Sequence, residues 1–169
     1  MLKIGVISDS HHRPDIAKSA ICYLKEKGAD LLVHAGDIVE IATLRDMRDS
    51  GICYKAVFGN NDISLFGCEK EFEIYPEPYD FEFKNLKIRL MHHPFYFGNS
   101  ANLTIYGHTH FFASVLNGVN LTMNPGEICA RKKPKHEFAY IEFEDGKFRV
   151  FKVEKDFGGK FWSEREIVL

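Results

Sequence analysis

Asp9, His11, Asp37, Asn60, His92, His108 and His110 are the side chains whose types and places could do chemistry together. Carboxylate, imidazole and amide donors in one set suit borderline divalent ions such as Mn, Fe, Zn, Ni or Co better than Ca or Mg. Taken singly, each has an ordinary reading. Asp-x-His can cap a turn, Gly36-Asp37 and Gly59-Asn60 are common loop chemistry, and a lone histidine is usually structural. Gly107-His108-Thr109-His110 is less ordinary, because it sets two imidazoles two residues apart in an extended stretch. The whole set exceeds what one tetrahedral zinc needs. It fits two ions sharing a carboxylate, and paired ions roughly 3.5–4 Å apart can hold a hydroxide nucleophile and a phosphoryl oxygen together. The chemistry expected is hydrolysis of a phosphoric ester by in-line attack of a metal-bound hydroxide, with no covalent enzyme intermediate.

Such donors meet only if the fold brings strand ends together. Leu2 to Ile7 is a short apolar, β-branched run that stops at Ser8-Asp9-Ser10, as a buried parallel strand does. Pro14-Asp15 opens a helix carrying Ile16, Ala17, Ala20, Ile21 and Leu24 on one face, and Gly28 closes it. Leu31 to His34 reads as a second strand, Ile41 to Arg48 as a second helix, and Tyr54 to Phe58 as a third strand ending at Gly59-Asn60-Asn61-Asp62. Strand and helix alternating in short steps imply right-handed crossovers and a parallel sheet. The second half changes character. Asn85, Asn117-Gly118 and Asp145-Gly146 mark hairpins within 81–91, 112–123 and 138–153, and Leu103 to Tyr106 is a short strand. Asp9 and His11 then follow strand one, Asp37 strand two and Asn60 strand three. His92 ends the run from Lys87, and His108 and His110 follow Leu103 to Tyr106. Ligands of open α/β sheets bind beyond the carboxyl ends of the strands. The tail beyond Phe157 is expected to add a final strand or an interface.

Length and composition bound the alternatives. The 169 residues, 45% hydrophobic, are expected to form one domain spanning 1–169. A net charge of −2 offers no broad footprint for duplex DNA or an anionic membrane. Cys22, Cys53, Cys68 and Cys129 form no C-x-x-C pair and read as inert thiols. No export signal is visible at Met1-Leu2-Lys3 and no apolar stretch approaches a membrane span. A cytoplasmic protein is expected.

Asp9-x-His11, Gly36-Asp37, Gly59-Asn60-Asn61-Asp62, His92 and Gly107-His108-Thr109-His110, followed by Asn124-Pro125-Gly126, resemble the ordered motif set of calcineurin-like metallophosphoesterases. The match looks closest to their small bacterial and archaeal phosphodiesterase branch and runs from Lys3 to about Gly126. The resemblance implies a four-layer α/β/β/α sandwich of two mixed sheets flanked by helices. It also implies that Asp9, His11, Asp37 and His110 bind one ion while Asp37, Asn60, His92 and His108 bind the other, with Asp37 as the bridge. Two divalent ions are then the cofactors, Mn first among Ni, Zn, Fe and Co.

The sequence departs from that pattern in three places. Asn61 stands where many members carry a histidine that assists phosphate binding or leaving-group departure, while His12 and His93 stand where glycine is frequent. One of these two histidines is a candidate to replace the missing imidazole. Phe95 and Tyr96, in the aromatic string after His92, are candidates to stack on a base, and Arg131 to pair with a phosphate. His34 reads as structural or as a partner behind the ligands. A phosphodiesterase acting on a small, nucleotide-like ester is the leading reading, with a homo-oligomer left open. The alternatives are a phosphomonoesterase, a nuclease for short single strands, or a non-catalytic scaffold like the retromer subunit that resembles this family.

Overall fold

The computed structural model describes residues 1–98 and 100–169. Its first sheet holds β1 (Leu2–Ile7), β2 (Leu31–His34), β3 (Cys53–Val57), β4 (Ile74–Tyr75), β10 (Lys135–Glu144), β11 (Lys147–Asp156) and β12 (Ser163–Ile167). Its second holds β5 (Tyr79–Phe83), β6 (Leu86–Leu90), β7 (Leu103–Ile105), β8 (Ala113–Asn117) and β9 (Asn120–Asn124). The orders are β12-β11-β10-β1-β2-β3-β4 and β5-β6-β7-β9-β8. β1 to β4 run parallel with β10 antiparallel to β1, and β6, β7 and β9 run parallel between two antiparallel edges. Both sheets are therefore mixed, as expected.

Strand periodicity divides the apolar residues between two cores. Ile4, Val6, Leu31, Val33 and Val57 face Ile88, Leu90, Leu103, Ile105, Leu121 and Met123 of the other sheet. Ile7, Leu32, Ala56 and Phe138 point the opposite way, onto helices α1 (Pro14–Glu26) and α2 (Ile41–Asp49). Pro14 begins α1, where its missing N–H costs nothing. Gly28 in the left-handed region (φ +76°) ends it.

The helix layers are unequal. Both α-helices among the described residues pack on the outer face of the seven-stranded sheet, whereas the resemblance implies helices outside each sheet. The five-stranded sheet turns short strands with polar outer residues, such as the exposed Lys87, away from the core. β3 lies one residue earlier than the sequence suggests, leaving Phe58 just past its end, and two-residue β4 was not visible in the sequence. The uncertain tail resolves into β12, antiparallel to β11, with Trp162 edge-on to Phe138 at 4.8 Å.

Candidate metal centre

The parallel strands of both sheets end at one place. The loop after β1 is tied to the loop after β2 by Asp9 N–H to Gly36 O and His11 N–H to Asp37 O, both 3.0 Å. The loop after β6 is tied to that after β7 by Gly107 N–H to His92 O at 3.1 Å, and His92 Nδ1–H donates to Ala35 O at 2.8 Å, joining the sheets. Buried Asp62 accepts Val39 N–H and Gly59 N–H, each at 2.7 Å, and so clamps the loop carrying Asp37 to that carrying Asn60.

These loops are bent for their cargo. Asp9, His11, Asp37, His108 and His110 all have positive φ, between 44° and 66°, a region that non-glycine residues rarely occupy and that clusters at functional sites. Two glycines make the approach of the loops possible. A Cβ on Gly36 would lie 2.7 Å from the His92 ring, and one on Gly59 would lie 3.0 Å from Asp37 Cα.

The seven donors divide into two groups around Asp37. One ligand atom each from Asp9, His11, Asp37 and His110 lie within 4.8 Å of one another, all four residues buried. On the other side His92 Nε2 is 3.0 Å from Asn60 Oδ1, 3.2 Å from His108 Nδ1 and 3.4 Å from Asp37 Oδ2. His11 Nε2 is 3.5 Å from that same Asp37 oxygen.

The chemistry of this cluster calls for a cation. The Ala35 carbonyl can only accept, so His92 commits its Nδ1–H there and points Nε2 at acceptor oxygens of Asn60 and Asp37, a contact that needs a proton or a cation between them. His110 likewise bonds through Nδ1 to Glu127 Oε2 (2.6 Å), leaving Nε2 facing Asp9 Oδ1 at 3.3 Å. That Asp9 oxygen is buried and has no hydrogen-bond partner. Acceptors facing acceptors repel unless positive charge sits between them. The ionisation behaviour says the same. Burial pushes the Asp9 carboxyl up to about 6, against the pull of His110 and His92. Burial alone would also raise Asp37, but hydrogen bonds from His92 and Asn61 hold it well below the usual carboxylate range. Burial lowers His11 to about 4, which leaves the neutral imidazole that ligation requires. The residues present thus fit divalent metal.

The remaining candidates fall around the cluster. Asn61 grips the shared carboxylate, N–H to Asp37 Oδ1 at 2.9 Å and Nδ2 to Oδ2 at 2.8 Å. Arg131 places Nη1 3.3 Å from His11 Nδ1. It lines a cleft of about 480 Å³ with His11, His12, Arg13, Asn61 and Cys129. His12 is 77% exposed in its side chain and pairs with Glu40 at 2.7 Å. A second cleft of about 410 Å³ is lined by Phe58, Asn60, Phe66, Glu77 and His93. Phe95 stacks on His93 at 5.2 Å and is 72% exposed; Tyr96 is held by its carbonyl, which accepts Arg89 Nη1 at 2.9 Å. His34 is wholly buried against Ser10 Oγ at 2.9 Å, and burial lowers its imidazole to about 3.

Sequence reasoning missed two carboxylates. Glu127, fully buried, accepts His110 Nδ1–H and the main-chain N–H of Arg131, Lys132 and Lys133 at 2.8–3.0 Å. Burial would raise it, but these donors hold it down at about 2. Its place directly after Asn124-Pro125-Gly126 was the available signal. Glu77 lies between β4 and β5, far in sequence from any ligand, and carried none. Cys129 also reaches the site, Sγ 3.2 Å from Glu127 Oε2, and burial pushes its thiol up, so it stays protonated.

A model of the calcineurin-like phosphoesterase superfamily domain matches residues 2–146. Phosphodiesterase MJ0936 of Methanocaldococcus jannaschii is 29% identical over 144 residues, 76% of this chain and 85% of that one. A solved archaeal phosphodiesterase superposes with a TM-score of 0.71 at 22% identity, over 88% of this chain and 98% of its own. Wild-type Vps29 from Entamoeba histolytica, complexed with zinc, superposes with a TM-score of 0.69 at 18% identity, over 98% of each chain. The chain belongs to the calcineurin-like phosphoesterase superfamily and is, by that membership, a phosphoric ester hydrolase.

Proposed function

We propose that this protein is a two-metal phosphodiesterase acting on a small diester, nucleotide-like in having one planar arm. The observation that carries the reading is the position of Asp37 Oδ2, 3.4–3.5 Å from an imidazole of each donor group. Asp9, His11, Asp37 and His110 would hold one ion, and Asp37, Asn60, His92 and His108 the other. The donor set suits Mn, with Zn, Fe, Ni or Co as alternatives. When bound, such a pair activates water and neutralises charge on the phosphoryl oxygens during in-line displacement.

The chain's own groups do the rest. Asn61 fixes both Asp37 oxygens and so orients the shared carboxylate. Arg131 brings an obligate positive charge to the mouth of the site, where a phosphoryl oxygen would sit. A diester must extend an arm on either side of phosphorus, and two clefts border the donors. One is basic, with Arg13, His12 and Arg131; the other is apolar, with Phe58 and Phe66. The exposed Phe95 ring, stacked on His93 of the second cleft, offers a face for a planar group, with Tyr96 next to it in the chain. The relative named a phosphodiesterase agrees with the diester choice.

Steady-state rates on a p-nitrophenyl diester and monoester with added Mn²⁺ test the reading. Diester turnover abolished by chelator and by Asp37→Asn is expected, and a faster monoester would overturn the diester choice. A non-catalytic scaffold is the second reading, suggested by the likeness to Vps29. It predicts a metal-loaded protein inert on every ester.

A further inference from the structure

The geometry points to His93 as an eighth donor, giving the ion on the Asn60 side a third imidazole. The inference rests on the two-metal reading above and concerns a residue that the family's motif set leaves out.

Three observations carry it. First, His92, His93 and His108 each present a ring nitrogen, and these nitrogens lie within 4.8 Å of one another. The His93 ring centre is 4.4 Å from that of His108 and 5.0 Å from that of His92. Second, His93 is held as the other ligands are. Histidines that bind metal donate their second ring N–H to a carboxylate or carbonyl, which fixes the tautomer and makes the free nitrogen more basic. His92 does so to Ala35 O at 2.8 Å and His110 to Glu127 at 2.6 Å. His93 does so to Glu77 Oε1 at 2.5 Å, so its Nε2 is left for a cation. Third, the other oxygen of Glu77 accepts the main-chain N–H groups of His92 and His93 at 2.6 and 2.7 Å. One carboxylate, 16% exposed, therefore sets both the backbone and the ring that face the ion. His12 shares only the carboxylate contact, Nδ1 to Glu40 Oε1 at 2.7 Å: its ring is 77% exposed, and it belongs to no donor cluster among the described residues.

The two ions would then be unlike. Asp9, His11, Asp37 and His110 bring two carboxylates and two imidazoles to one, whereas the other, with the shared Asp37 and with Asn60, takes the three imidazoles of His92, His93 and His108. The imidazole-rich position should favour Zn, Fe, Co or Ni over Mn.

The test titrates chelator-stripped full-length protein with Co²⁺, following bound metal by equilibrium dialysis and coordination by visible absorption. Wild type should bind two ions. His93→Ala should weaken one of them by more than tenfold and change its absorption, with the other ion unaffected. Glu77→Gln should weaken the same ion by about 10–100-fold, the usual effect of losing an outer partner. Circular dichroism checks folding, and His93→Asn replaces His93→Ala if the latter does not fold. Two wild-type affinities and an unchanged spectrum in the variants would overturn the inference, even if turnover fell. Fewer than two ions on the wild type would instead refute the two-metal reading itself.

Discussion

His92 Nε2 faces Asp37 Oδ2 across 3.4 Å while its Nδ1–H is already given to the Ala35 carbonyl. The contact brings a ring nitrogen without a proton of its own against an anionic oxygen, and Asp37 answers by raising the affinity of His92 for positive charge against the opposing effect of burial. A proton or a metal ion can satisfy that demand. The prediction is that Asp37→Asn binds neither ion tightly and loses more turnover than the about 10–100-fold typical of an outer-shell substitution. Elemental analysis beside diester kinetics reads both.

Glu127 should be felt in two measurements. Glu127→Gln withdraws the charged acceptor from His110 Nδ1, and metal affinity on the Asp9 side should fall about 10–100-fold. Its folded carboxyl is held at about 2, below the ordinary 4.5, by His110 and three main-chain N–H donors. A depressed carboxylate contributes stability that is full above its unfolded value and is lost as pH falls toward the folded one. Metal-free wild type should therefore lose stability between about pH 5 and 2 more steeply than Glu127→Gln in urea melts. Parallel curves would show that Glu127 is not the group responsible.

Gly59→Ala should damage the site without replacing a ligand. The added methyl would lie 3.0 Å from Asp37 Cα and nearer still to its main-chain N and Oδ1. Overpacking of this kind costs about 1–3 kcal/mol. A shifted urea midpoint together with weakened binding of both ions is expected, since Asp37 serves both.

The tail offers its own reporter. Trp162 is the single tryptophan, and it packs edge-on to the fully buried Phe138 while its Nε1–H donates to Ser19 Oγ at 3.0 Å. Phe138→Ala should cost about 3–5 kcal/mol and shift Trp162 emission to the red. Unchanged emission would mean that β12 docks independently of this core.

Much of the architecture was legible because its causes are local. Apolar runs of strand length, Pro14 and Gly28 around α1, and Asp145-Gly146 between β10 and β11 each decide their own stretch of chain. The strand-end positions of Asp9, Asp37, Asn60 and His108 were legible for the same reason, and the parallel sheets then brought them together. What escaped depends on distant partners. β4 is two residues long and exists only because β3 offers it an edge. The left-handed backbone at five donors is imposed by cross-loop bonds such as His11 N–H to Asp37 O. Glu77 matters only because the strand after it returns beside His92.

The most direct test of the account is anomalous diffraction from crystals soaked in Mn²⁺ or Zn²⁺. It predicts two peaks about 3.5–4 Å apart, both within ligand distance of the Asp37 carboxylate. A single peak, or two that do not share Asp37, would contradict it.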